Sequence, residues 1–189
     1  MKKRIIIGLV LVLVAIIALT TSGAISAEPV RTEFTSLEYD CFTGFEEGGG
    51  DFALDKTVMH VRGILHSNIN ISDTPEMHGI HHTVADAEFN SQSGVGTVRG
   101  TSELVPQGID GAWVGHWVFL YNNHHNYGWA VWRGTGALSG KMAFIDVYDE
   151  FNVEPPSGIC DDIGGDPDLD GELEGIVRTE GYILNIGAE

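Results

Sequence analysis

The sequence has 189 residues, with 27 acidic side chains against ten basic ones and a net charge of −17 at neutral pH. Phosphate neutralisation requires lysine and arginine, so this balance excludes nucleic-acid binding as a function class. It disfavours attachment to anionic membrane surfaces for the same reason.

In chain order, Met1-Lys2-Lys3-Arg4 leads into an apolar run from Ile5 to Leu19, followed by small residues up to Ala27. A basic start, an apolar core and a small-residue stretch predict an export signal over residues 1–27, cleaved after Ala24 or Ala27. The expected location is secreted, extracellular or cell-surface. The alternative is an uncleaved membrane anchor, but the apolar run falls short of the ~20 residues that span a bilayer. Nothing after Ala27 is long and apolar enough for a further span. Cleavage leaves 162 residues, the size of one domain with a real core. The mature chain keeps every acidic residue, but only seven basic ones. Residues 28–56 read as an N-terminal strand and a glycine-rich loop, 57–185 as the body of the same domain, and 186–189 as a tail.

The mature sequence has almost no helical periodicity. Short alternating, β-branched and aromatic runs, broken by Gly, Asn, Asp and Pro, predict strands. They fall near Val30–Leu37, Thr57–His66, His78–Phe89, Val95–Leu104, Trp113–Tyr121, Tyr127–Gly134, Lys141–Tyr148 and Glu172–Leu184. Eight strands joined mostly by short turns predict an all-β, eight-stranded antiparallel up-and-down barrel of the calycin-like kind, with a two-sheet sandwich as the alternative. At eight strands a barrel is just filled by side chains, or holds one small ligand. Glycines inside the strands, such as Gly63, Gly100, Gly115 and Gly181, permit strong coiling and close backbone approach. Exposed loops are expected at Glu46–Asp51 and Glu150–Gly171. Around Trp113–Tyr121 both strand faces are apolar, so one is expected to fill the barrel and the other to lie under the chain or a second subunit.

The runs Val58-Met-His-Val-Arg-Gly-Ile-Leu65, Gly94-Val-Gly-Thr-Val-Arg-Gly100 and Gly111-Ala-Trp-Val-Gly-His-Trp117 resemble a family of secreted bacterial and archaeal proteins of unknown function. Gly134-Thr-Gly-Ala-Leu-Ser-Gly140 and Gly171-Glu-Leu-Glu-Gly-Ile-Val177 fit the same pattern. That family looks like the barrel of plant allene oxide cyclases and dirigent proteins. The likeness runs from Thr57 to Leu184 and rests on glycine and tryptophan spacing, so it implies the fold. No catalytic residue of the cyclases matches a position here.

Chemistry-bearing residues are few. Cys41 and Cys160 are the two cysteines of the mature chain, and an even count in an oxidising compartment predicts a disulfide. Asp166, Asp168 and Asp170, closed by Gly171, match the first half of a calcium loop, in which alternate carboxylates face one hard cation. Position 12 of that loop falls on Val177 rather than Glu, so an ion would complete its oxygen cage from Glu174, Asp161 or Asp162. His78, His81 and His82 form a dense run, and His124 and His125 sit in a polar turn. His60 and His66 share a face if their strand is regular. For acid–base chemistry, His60, Arg62 and His66 are candidates with Asp86 and Glu88. Asn70-Ile-Ser72 is a formal glycosylation acceptor.

These residues leave three readings. The first is a barrel that binds a small or apolar ligand or serves as a structural surface protein. The second is a cyclase-like enzyme working inside the barrel, and the third is a carbohydrate-binding module using the Trp113–Trp132 region. A cavity lined by His or Arg with a carboxylate points to the enzyme, an exposed row of Trp to sugar binding, and a filled barrel to a structural role.

The calcium loop is tested by thermal unfolding with chelator, with calcium, and with magnesium at matched ionic strength. Extracellular calcium modules bind at ~10⁻⁴ to 10⁻³ M, so millimolar calcium should add about 1 kcal/mol, a rise of about 2–4 °C. Asp168→Asn should abolish the calcium-specific shift.

Overall fold

Along residues 113–121, aromatic residues or glycine occupy the odd positions, and the chain folds as that period demands. Trp113, Gly115, Trp117 and Phe119 turn to a shared interior, while Val114 faces out. The structure, a computed structural model, describes residues 29–50, 53–55, 57–122, 126–161, 163 and 171–187. Its strands are β1 (Val30–Phe45), β2 (Ala53–Asp55), β3 (Val58–Ser72), β4 (Gly79–Asn90), β5 (Gly96–Pro106), β6 (Trp113–Tyr121), β7 (Tyr127–Gly134), β8 (Lys141–Asp149) and β9 (Glu172–Asn185).

Each strand from β3 to β9 pairs antiparallel with the next, and β1 pairs with both β9 and β3. Eight strands therefore close into an up-and-down barrel, and the sandwich alternative is ruled out. The short β2 lies against the first residues of β3, with Ala53 opposite His60. All eight expected strands are present. Two of them run further than expected, β1 on to Phe45 and β3 on to Ser72. Their extra residues include Glu38, Asp40, Asn68 and Asn70, polar types depleted in strands.

The glycines have a specific task. Gly100 stands directly opposite Trp117, Gly115 opposite Trp132, Gly128 opposite Phe119, and Gly181 opposite Phe34. A methyl group on Gly115 would lie 2.1 Å from the Val131 carbonyl oxygen and 2.6 Å from Trp132 Cδ1. Each large ring thus lies over bare backbone on the neighbouring strand, and the strands coil tightly enough to close.

One end of the barrel is sealed. Phe34, Leu104, Trp113, Trp132 and Ile183 pack there with Met77 and Leu138, all buried. Met77 belongs to a 3₁₀ turn, Pro75–Met77, laid across the opening. Trp113 Nε1 donates to the Glu76 carbonyl at 2.8 Å, and Lys141 Nζ meets Glu76 Oε1 at 2.6 Å.

Cys41 and Cys160 form a disulfide with Cα atoms 5.6 Å apart across 119 residues of sequence. Both are buried against Ile163, with Ile69, Ile80 and Ile159 alongside. The bridge fastens the segment after β8 to the outside of β1. Closing so long a loop is worth up to about 5 kcal/mol in the chain-entropy account.

The outer face of β6 and β7 differs from expectation. Val114, Trp129 and Val131 remain 37%, 44% and 41% exposed, so within the chain that apolar face is not buried.

Gly115→Ala should destabilise the barrel by about 1–3 kcal/mol, because a methyl must displace either backbone or Trp132. Equilibrium denaturation followed by tryptophan fluorescence reads both the loss and the change around Trp132.

Candidate functional site

Above the sealed end the side chains stop filling the barrel. A cavity of about 740 Å³ opens there, within the 300–1,000 Å³ typical of small-molecule sites. Its walls are apolar, with Val61, Ala87, Phe89, Val98, Trp117 and Phe119 from β3 to β6. Its mouth lies at the end where β8 leaves and β9 enters the barrel, beside Asp149, Phe151 and Glu174.

The floor is polar. Along β1 the inward residues run Phe34, Ser36, Glu38, then Asp40, which places two carboxyls side by side inside the barrel. Glu38 Oε1 accepts hydrogen bonds from His81 Nδ1 at 2.8 Å and from Asn68 Nδ2 at 2.6 Å. Asn68 Nδ2 also reaches Asp40 Oδ1 at 2.8 Å, and its Oδ1 accepts from the Cys41 amide at 3.1 Å. The Glu38 and His81 side chains are each only 7% exposed. Nearer the mouth, His66 Nε2 meets Glu174 Oε2 at 2.9 Å, and Asn126 Nδ2 bonds to Asp149.

Electrostatics separates the two floor carboxyls. Burial alone would raise Glu38, but the opposing charge and hydrogen bond of His81, with Asn68, hold it below the usual range. Asp40 is pushed well above the usual range by burial and then by the negative charges of Glu38, Glu174 and Asp149. The two floor carboxyls are therefore shifted in opposite directions, Glu38 towards its charged form and Asp40 towards its protonated one. Tyr121 is also raised, by burial and then by Asp40, Asp149 and Glu174, and stays a neutral phenol.

Some buried polar atoms in this region make no hydrogen bond among the described residues: His81 Nε2, Ser102 Oγ and the indole Nε1 of Trp117 and Trp132. The His81 and Trp132 rings lie 4.8 Å apart. The floor thus offers a histidine held by a carboxylate, next to a second carboxyl whose charged form is disfavoured.

This group differs from the one read from sequence. His60 and His66 do not share a face, because a bulge between Val61 and Ile64, with Gly63 at φ +64°, inserts one residue into β3. His66 turns inward, whereas His60 and Arg62 turn out with Asp86 and Glu88. Outside, His60 Nδ1 pairs with Glu88 Oε1 at 3.4 Å, and Asp86 Oδ1 accepts from the Gly63 amide at 3.1 Å. Of the run His78, His81, His82, only His81 reaches the cavity. His82 Nδ1 bonds to Ser67 Oγ at 3.0 Å, and its pKa is lowered by burial and then by His81. Asn70 is 1% exposed and donates to the Met77 carbonyl at 2.7 Å, so the folded chain offers no glycosylation acceptor there. Trp113 is in the sealed core, Trp117 and Trp132 line the cavity, and Trp129 faces out. Asp166, Asp168 and Asp170 lie outside the described residues, as do His124, His125 and residues 1–27.

Glu38 and Asn68 were missed because each sits in an extension of a strand that reads as polar and turn-like. The inward alternation of Phe34, Ser36, Glu38 and Asp40 is the signal that finds them.

Comparison with protein-family models, with curated proteins and with solved structures gives no match.

The two floor carboxyls should respond to neutralisation with opposite signs. Asp40, with a raised folded pKa, keeps a proton that the unfolded chain loses above pH ~3.9, so it costs stability at neutral pH. Asp40→Asn should raise the thermal midpoint at pH 7 by a few degrees, with the gain disappearing below pH ~3.9. Glu38, with a lowered folded pKa, contributes stability above pH ~4.3 that is lost as pH falls through its folded value. Glu38→Gln should therefore cost about 3–5 kcal/mol at pH 7, as expected when one partner leaves a buried pair. Thermal and chemical denaturation of both variants between pH 3 and 8 check this.

Proposed function

We propose that this chain is an exported binding protein that holds one small, largely apolar molecule inside the barrel. The observation that carries the reading is the cavity of about 740 Å³, sealed at one end by the Trp113 cluster and open at the other. Apolar walls supply affinity in proportion to the area they remove from water, and a few polar groups at the floor orient the ligand. Export rests on the pattern of residues 1–27, and the buried disulfide suits an oxidising destination. An unfilled interior argues against a purely structural role.

A second reading is an enzyme acting inside the same barrel, favoured by the His81–Glu38 pair beside Asp40. A base and an acid with separated protonation are the equipment of proton-transfer chemistry. The carbohydrate reading has less support, since Trp129 is the one tryptophan that faces outward.

Titration with the uncharged apolar fluorophore N-phenyl-1-naphthylamine tests the binding reading. Saturable binding of one probe per chain is expected, with energy transfer from tryptophan. Ala87→Phe, which fills the cavity from β4, should weaken binding by about tenfold or more, equivalent to 1.4 kcal/mol. Absence of saturable binding, or equal binding by a folded Ala87→Phe variant, would refute it.

A further inference from the structure

The charge of the cavity is one-sided, and this narrows the class of molecule it accepts; the inference rests on the ligand-binding reading. Five carboxyl side chains line the cavity, and no lysine or arginine does so among the described residues. Two of the five have a histidine partner, Glu38 with His81 and Glu174 with His66. Asp40 and Asp149 bond instead to the neutral amides of Asn68 and Asn126. A carboxylate ligand would enter a low-dielectric space that already holds excess negative charge, and the repulsion there is far larger than in water. An ammonium group meets the reverse situation, in a cavity also lined by the aromatic side chains of Phe42, Trp117 and Trp132.

A separate observation points to the floor. His81 is 6% exposed, lines the cavity and leaves Nε2 without a partner among the described residues. The unpartnered Nε2, beside Glu38, marks the floor as the polar end of the cavity. Asp40 lies close by, because Asn68 Nδ2 bonds at once to Glu38 Oε1 and to Asp40 Oδ1.

We propose that the ligand is an apolar amine, with a hydrophobic body along the aromatic wall and a primary ammonium group docked on Asp40 at the polar floor. The ammonium donates to the Asp40 carboxyl. It also supplies positive charge beside a carboxyl whose charged form is disfavoured by burial and by the neighbouring carboxylates.

The test compares three probes with one chain and different heads: dodecylammonium, dodecanol and dodecanoate. Each displaces N-phenyl-1-naphthylamine below its critical micelle concentration at pH 7. Dodecylammonium should bind at least about tenfold more tightly than dodecanol, with dodecanoate weakest. Asp40→Asn should reduce the advantage of the ammonium over the alcohol to below about threefold. Ala87→Phe should abolish dodecylammonium binding read directly by titration calorimetry, since adsorption to the acidic exterior would survive a filled cavity. Dodecanol equal to dodecylammonium, or dodecanoate the tightest, would overturn the amine while leaving the binding reading intact. An ammonium advantage unchanged by Asp40→Asn, or binding that survives Ala87→Phe, would overturn the docking site. No binding of the fluorophore or of any probe would overturn the binding reading, and the amine with it.

Discussion

A large ring on one strand facing a glycine on the next is the constraint on which the rest of this barrel depends. Trp117 over Gly100, Trp132 over Gly115, Phe119 over Gly128 and Phe34 over Gly181 are direct cross-strand partners, so the fit is set by register. Eight strands with a large side chain at every inward position would hold no space and would not coil tightly enough to close. With glycine on one side of each pair, the rings lie flat against backbone. The bottom of the barrel then packs as a core, while its middle keeps a cavity. The sealed floor, the aromatic wall and the room for a ligand all follow from that one arrangement.

The buried acidic floor works against stability, and its surroundings compensate only in part. Glu38 is secured by His81 and Asn68, but the charged form of Asp40 is disfavoured by burial and by neighbouring negative charge. A polar floor in a small barrel is expensive when apolar residues of similar size would fill it. Such residues are retained where they do something, and sites of function are commonly destabilised. The disulfide supplies some of the missing stability at the same place. Cys41 follows Asp40 in β1, and its amide is held by Asn68 Oδ1.

The fold was legible in the sequence because its signals are local. Alternation over eight or nine residues, bounded by Gly, Asn or Pro, marks β6, β7 and β8 almost to the residue. The same reasoning ended β1 at Leu37 and β3 at His66, where carboxylates and amides begin. Those types lower strand propensity wherever they are, yet here they point into a barrel in which they find partners from distant strands. The bulge at Gly63 is equally hidden, and it reverses which of His60 and His66 faces inward. The disulfide was legible by counting, whereas the site was not. Glu38 and His81 are 43 residues apart, and only the closed register of β1, β3 and β4 brings them together.

Closure by β1 has a consequence for how the chain is made. Its partner over most of its length is the final strand, from Val30 opposite Asn185 down to Phe42 opposite Glu172. While the C-terminus is still being synthesised, β1 and β8 each lack that neighbour, and unpaired edges recruit other chains. Nothing in this topology lets the barrel complete itself from its first strands onward. A chain that closes only when its last strand arrives stays an open sheet until synthesis is complete, and the β1–β9 pairing is then the step that locks it.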